Sequence, residues 1–148
     1  MKQTQLRSKD VNKVVERFGV KVGKKDACRL VEDEYKVITV NGKPSFFYYE
    51  DSVVPTLQFL QSDLVLKKIT VDMGAIKFVV NGADIMRPGI VAIEDGIAKD
   101  DFIVVIDEQN GKALAVGIAL LGTEEIRSST SGKVIRNIHY VGDDIWKQ

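Results

Sequence analysis

Val71-Asp72-Met73-Gly74-Ala75-Ile76-Lys77-Phe78-Val79-Val80-Asn81-Gly82-Ala83-Asp84-Ile85-Met86-Arg87-Pro88-Gly89-Ile90 is punctuated by three glycines, whose spacing predicts a short apolar helix between two strands. Gly74-Ala75 opens that helix, and Ile76, Phe78, Val79 and Val80 supply its apolar contacts, with Phe78 and Val79 expected to anchor it. Asn81-Gly82 ends it, because the residue past a helix end often needs positive φ, which glycine adopts without strain. Arg87-Pro88-Gly89 reads as a second tight turn, entering Ile90-Val91-Ala92-Ile93. A backbone with few side chains beside Lys77 and Arg87 lets a phosphate come close, so the stretch outlines a binding surface. The competing reading is that Gly74 and Gly82 serve only the tight backbone of a small barrel. A nucleotide-binding phosphate loop is excluded, since Gly-x-x-x-x-Gly-Lys-Ser/Thr is absent.

The rest of the chain organises around this stretch. Ser8 reads as the N-cap of a helix with Val11, Val14, Val15 and Phe18 on one face and Gly19 past its end. The polar region 21–34 is ambiguous, with a short helix near Lys25 to Leu30 as one reading. Tyr35 to Val40, then Asn41-Gly42, then Ser45 to Tyr49 predicts a hairpin, because Asn-Gly accepts the two positive φ values of a type I′ turn. Pro55 suits the first turn of a helix carrying Leu57, Leu60 and Leu64. Phe102 to Ile106 and Ala113 to Ile118 form a second hairpin around Asn110-Gly111. Thr123-Glu124-Glu125 begins a helical turn with its acids at the positive dipole end, and Lys133 to Tyr140 reads as a final strand. Many short strands of this kind suit a small closed barrel, which removes exposed edges.

Composition is that of an ordinary globular chain, with 45% hydrophobic and 28% charged residues among 148. Cys28 is the single cysteine, which excludes an intrachain disulfide and a paired-cysteine zinc site. Met1 to Gln5 is polar with no apolar run behind it, and the longest apolar runs are strand-sized, so a cytoplasmic protein without a membrane span is expected. Net charge is zero. Up to Lys67 there are twelve cations and nine acids, and after it nine and twelve. Neither half carries a broad basic field, so any RNA contact is expected to be local and shape-dependent.

Catalysis has little to work with. His139 is the single histidine and falls in a strand, which favours a structural role. Cys28 lies near Lys24, Lys25 and Arg29, cations that would depress a thiol pKa, but an ordinary partly buried cysteine is the simpler account. The acid pairs Asp100-Asp101, Glu124-Glu125 and Asp143-Asp144 point apart as neighbours and read as solvated turn residues. No spacing implies a metal or cofactor. In Phe46-Phe47-Tyr48-Tyr49, alternation sends one pair into the core and leaves at most the other for base stacking, with packing preferred for most of them.

The glycine-rich stretch resembles the start of a PUA domain: Gly74-Ala75-Ile76, Gly82-Ala83-Asp84-Ile85 and Pro88-Gly89-Ile90, continued by Ala115-Val116-Gly117 and Asn137-Ile138-His139-Tyr140. With Val37 to Gly42 and Pro55-Thr56-Leu57, the chain is similar to the malignant T-cell-amplified-sequence type of translation factor and its archaeal relatives, from about Tyr35 to Trp146. The resemblance implies an α+β fold, with an N-terminal α+β pre-PUA domain over 1–67 and a PUA pseudobarrel over 68–148. It implies a non-enzymatic RNA-binding protein contacting the small ribosomal subunit and the tRNA acceptor end during initiation or recycling. A separate density-regulated-type translation factor is the implied partner. The alternative is a targeting subunit for an RNA-modifying enzyme. Carried over residue by residue, the RNA-binding set is Lys77, Gly82, Ala83, Asp84, Met86, Arg87 and Pro88, with Lys133 and Arg136 adding phosphate contacts.

Overall fold

The computed structural model describes residues 1–148 and resolves two sheets sharing one layer of core. The first sheet is antiparallel, in the order β1-β2-β3-β4-β5. Its strands are β1 (Lys2–Leu6), β2 (Cys28–Glu32), β3 (Lys36–Val40), β4 (Lys43–Tyr49) and β5 (Ser52–Pro55). Helix α1 (Ser8–Val15) crosses one face and buries Val11 and Val15 against Cys28, Ile38, Phe46 and Val53. Helix α2 (Leu57–Leu60) lies on the other, where Leu57 and Leu60 join Val37, Phe47 and Val54.

The second sheet runs in the order β7-β11-β10-β9-β6-β8. It contains β6 (Lys67–Val71), β7 (Ile85–Met86), β8 (Ile90–Ile93), β9 (Phe102–Asp107), β10 (Ala113–Ala119) and β11 (Lys133–Tyr140). Only β6 and β9 pair in parallel. The edge strands β7 and β8 are consecutive in the chain, separated by the 3₁₀ turn Arg87–Gly89, so the sheet curls back on itself into a half-barrel. Helices α3 (Ile76–Val79) and α4 (Thr123–Ser128) close its interior, and α5 (Asp144–Lys147) ends the chain. No helix is long and apolar enough to cross a membrane, which says nothing of membrane-spanning strands.

Three buried clusters hold this arrangement. One fills the half-barrel around Ile69, Ile103, Val105 and Ile135. Another lies between α1 and the first sheet. The third joins Val37, Phe47, Leu57 and Leu60 to Val104 and Val116 of the half-barrel and to Ile145 of α5, so the first sheet is covered on both faces. Phe46 and Phe47 are therefore both buried, at 0% and 1% exposure, although they point to opposite faces. Burial of each aromatic removes a large apolar surface from water.

Several expected elements stand. Asn41 and Gly42 have φ of 52° and 81°, as the type I′ hairpin requires. The hairpin of β9 and β10, the final strand and the acid-led helix α4 also form as read. Others are corrected. Ser8 is the first helical residue rather than the cap; Arg7 occupies the cap position in extended geometry, with no side-chain cap bond. The stretch 25–30 is not a helix, because β2 begins at Cys28 and pairs on both sides, with β1 and β3. Sheet pairing here overrides a weak local preference. Pro55 ends edge strand β5, where its missing N–H costs no ladder bond. Thr56 caps α2 instead, its hydroxyl accepting from Phe59 N–H at 3.2 Å and donating to the Pro44 carbonyl at 2.9 Å. Leu64 lies beyond that helix and is exposed.

Phe78 is the most consequential correction. Ile76, Val79 and Val80 follow the i, i+3, i+4 pattern of one helix face and pack on the half-barrel core. Phe78 falls off that face and is 58% exposed, whereas Val79 is 3% exposed.

Candidate nucleic-acid interface

The sequence from Asp72 to Gly89 folds into the two walls of one cleft. Asp72 caps the 3₁₀ turn Met73–Ala75, its carboxylate accepting from Ala75 N–H at 2.9 Å, and the turn runs straight into α3. The opposite wall is β7 with the Arg87–Gly89 turn. Gly89 lets the walls meet, since a Cβ there would sit 3.3 Å from the Ala75 methyl. Between them is a cavity of about 430 Å³ with Phe78, Ala83, Met86 and Pro88 among its lining. Phe78 and Met86 (49% exposed) present an apolar mouth to solvent. The Lys77 ammonium sits 5.2 Å from the Phe78 ring centroid, within cation–π range.

The floor is tied down by hydrogen bonds. Gly82 takes φ +90°, and a Cβ there would meet the Tyr140 ring at 2.9 Å. Its amide donates to the Val79 carbonyl at 3.0 Å, and that of Ala83 donates to Phe78 at 3.0 Å. These amides close the helix end, so neither is aimed at a ligand. Asn137 Nδ2 donates to the carbonyls of Val79 and Ala83, both at 3.0 Å, fastening the loop to β11. Asp84 accepts from Asn137 N–H and from Lys133 Nζ, each at 2.8 Å. Burial works to raise the Asp84 pKa, but the Lys133 and Asn137 hydrogen bonds outweigh it and hold the carboxyl below its ordinary value.

The residues expected at an RNA site therefore separate into groups. Ala83, Asp84, Met86 and Pro88 line the cleft, Lys77 stands beside it through its contact with the Phe78 ring, and Lys133 reaches its rim through Asp84. Gly82 backs the loop. Arg87 is a brace: Nε donates to the Ile126 carbonyl at 2.7 Å and Nη1 to that of Ile90 at 3.2 Å. Arg136 lies away from the cleft, in a separate cavity with Arg17, Tyr49, Asp100 and Phe102 between the two sheets. Phe78 was missing from the expected set, although its position off the 76-79-80 face was visible in the helical spacing.

The reactive side chains serve the fold. Cys28 is buried, and burial, with Asp26 nearby, pushes its thiol pKa up, opposite to the shift that adjacent cations would give an activated nucleophile. His139 is fully buried; its Nε2 accepts from Leu57 N–H at 3.1 Å and its Nδ1 meets Asp143 at 2.9 Å.

This is the geometry of a β half-barrel that offers an apolar slot with a cationic lip, without an acid–base or nucleophile–base constellation. Residues 67–141 match the PUA domain family, and residues 6–63 match a domain of unknown function, DUF1947. A Methanocaldococcus jannaschii protein described as uncharacterized is 44% identical over 78% of this chain and 72% of its own. Translation machinery-associated protein 20 of Saccharomyces cerevisiae is 35% identical, covering 84% and 74%. Malignant T-cell-amplified sequence 1 of Rattus norvegicus is 36% identical, covering 83% of this chain and 71% of that protein. The crystal structure of a hypothetical protein from Pyrococcus horikoshii superposes with a TM-score of 0.85 at 31% identity, covering 99% of this chain and 98% of that one. The chain belongs to the PUA-domain family, in the group that holds malignant T-cell-amplified sequence 1 and translation machinery-associated protein 20.

Proposed function

We propose that the chain is a non-catalytic RNA-binding protein of translation, whose half-barrel cleft receives the single-stranded end of a tRNA acceptor stem at the small ribosomal subunit. The observation that carries this reading is the exposed Phe78 ring at the mouth of a 430 Å³ apolar cleft, with the Lys77 ammonium beside it. A nucleobase is flat and has a π face, so it stacks on an exposed aromatic whatever its identity, while a nearby cation meets the phosphate. The name of the Saccharomyces cerevisiae relative, translation machinery-associated protein 20, supports a place in translation. A separate density-regulated-type factor is the partner proposed to work beside it in initiation or recycling, in the cytoplasm. Residues 1–67 and 68–148 are proposed as its two units, the second carrying the RNA end.

The test is binding of a tRNA acceptor-stem RNA with its unpaired 3′ end, against the same stem made blunt. Wild type is expected to prefer the unpaired end, and Phe78→Ala to lose that preference. Equal binding of both RNAs by wild type overturns the assignment of this cleft.

A further inference from the structure

Zero net charge conceals a strong local excess. Residues 7–25 hold Arg7, Lys9, Lys13, Arg17, Lys21, Lys24 and Lys25 against only Asp10 and Glu16. Dividing the chain into halves hides this, because the acids of residues 26–63 offset it.

The fold brings part of this excess to one concavity. Lys9 stands in the first turn of α1, and Lys21 and Lys24 stand on the loop that leads back towards β2. With Arg7, they line a depression of about 570 Å³. The loop is held in place by a two-point clamp: Asn12 Oδ1 accepts from Val22 N–H at 2.7 Å, and Asn12 Nδ2 donates to the Val22 carbonyl at 3.0 Å. Val22 itself is buried at 6% exposure. Asp26 adds a third tie by accepting from Gly23 N–H at 2.7 Å.

The nearby acids are otherwise engaged. Asp10 pairs with Arg7 at 2.9 Å, and Asp26 also accepts from Asn41 Nδ2 at 3.0 Å. Lys9, Lys21 and Lys24 take part in none of the chain's ion pairs. All three are exposed, so neither burial nor pairing within the chain accounts for gathering them. Like charges held together repel one another, and a polyanion relieves that repulsion.

We propose that this concavity is a second RNA contact, which takes the phosphodiester backbone of an RNA strand independently of the Phe78 cleft. It rests on the RNA-binding reading above. The lining offers ammonium and guanidinium groups and no aromatic, so the contact positions the strand without reading its bases. An anionic membrane is the poorer fit, because surface-bound helices pair their cations with apolar side chains that insert, and the only apolar side chain lining this depression is the buried Val22.

The experiment measures binding of the intact chain to a full tRNA transcript across a salt series, for wild type, Lys9→Gln/Lys21→Gln/Lys24→Gln and Phe78→Ala. Each phosphate contact adds roughly 0.7 to 0.9 to the slope of log affinity against log salt. The triple variant is expected to lose about two units of slope, and Phe78→Ala to weaken binding with the slope unchanged. If the triple variant matches wild type while Phe78→Ala binds more weakly, the second contact is refuted and the cleft reading stands. If wild type binds no RNA, both fall. Vesicles containing phosphatidylserine provide the remaining arm: their loss by the triple variant, with tRNA binding intact, reassigns the surface to lipid and overturns the proposal. Circular dichroism confirms that these exposed substitutions leave the fold in place.

Discussion

The imidazole of His139 accepts a hydrogen bond from the backbone N–H of Leu57, 3.1 Å away across 82 positions of sequence. Because Nε2 is the acceptor, the ring carries its proton on Nδ1 and donates it to Asp143, 2.9 Å away. The last strand thus satisfies an orphan amide in the first turn of α2, and Phe47 packs its ring at 65° to the imidazole, centroids 5.0 Å apart. His139→Ala would leave the amide unpaired and open a cavity beside Phe47. A loss of about 2–4 kcal/mol is expected, read by urea denaturation. An unchanged midpoint would mean that water replaces the imidazole without cost.

Asp143 makes acid the sensitive direction. Burial raises its pKa, but the His139 hydrogen bond and the amides of Trp146 and Tyr140 lower it further, and the net position is below the ordinary aspartate value. A depressed folded-state pKa contributes stability above the unfolded value, and that contribution disappears as pH falls through the folded one. The melting temperature of wild type should therefore fall as pH drops below about 4. Asp143→Asn should start lower at neutral pH and decline less steeply in acid. Parallel curves would remove Asp143 from the account.

Phe78 and Val79 are neighbours with opposite expected behaviour. Phe78→Ala should hardly move the melting temperature, since the ring is 58% exposed, yet weaken acceptor-end RNA by about tenfold, from a stacking contribution of about 1–3 kcal/mol. Val79→Ala should cost about 1–3 kcal/mol of stability. Thermal melts and anisotropy titrations on the two variants decide it, and a destabilised Phe78→Ala would return that ring to the core.

Arg87 and Lys77 separate bracing from binding. Arg87→Ala leaves the Ile126 and Ile90 carbonyls without their donor, so a stability loss of about 1–3 kcal/mol is expected. Lys77→Ala should leave the melt unchanged and lower the salt slope of RNA binding by about one unit. Should Arg87→Ala melt like wild type and lower the slope instead, the guanidinium is a phosphate ligand after all.

Gly82→Val tests the loop. Valine at φ +90° is strained, and its Cβ would press on Tyr140, so the variant should melt well below wild type. Any weakening of RNA binding is expected to follow that loss of structure. Full stability with weakened binding would show instead that the loop backbone contacts RNA directly.

Elements with strong local chemistry were legible before folding. Asn41-Gly42 announced its hairpin because those residues tolerate two positive φ values, and Lys133 to Tyr140 alternated clearly enough to read as a strand. Strand β1 was silent, since it is a polar edge strand with only Leu6 part-buried. The orientation of Phe78 was available from helical spacing, but two adjacent apolar residues looked like one contact. The commitment of Arg87 was not readable, because its acceptor at Ile126 lies 39 residues away. The basic concavity depends on the Asn12–Val22 clamp, and nothing in a polar loop marks an asparagine as its fastener.

The position of Phe47 against Val104 and Val116 bears on how the molecule comes apart. A chain cut between α2 and β6 would expose an apolar sheet face on one fragment and part of the half-barrel's outer surface on the other. Neither fragment would keep the layer that the two share, and each would present a sticky surface of the kind that drives aggregation. Heating should therefore melt the protein in a single cooperative transition. Division of labour between an end-gripping part and a backbone-holding part would then operate on one cooperative unit, so the distance between the two proposed RNA contacts would act as a fixed ruler.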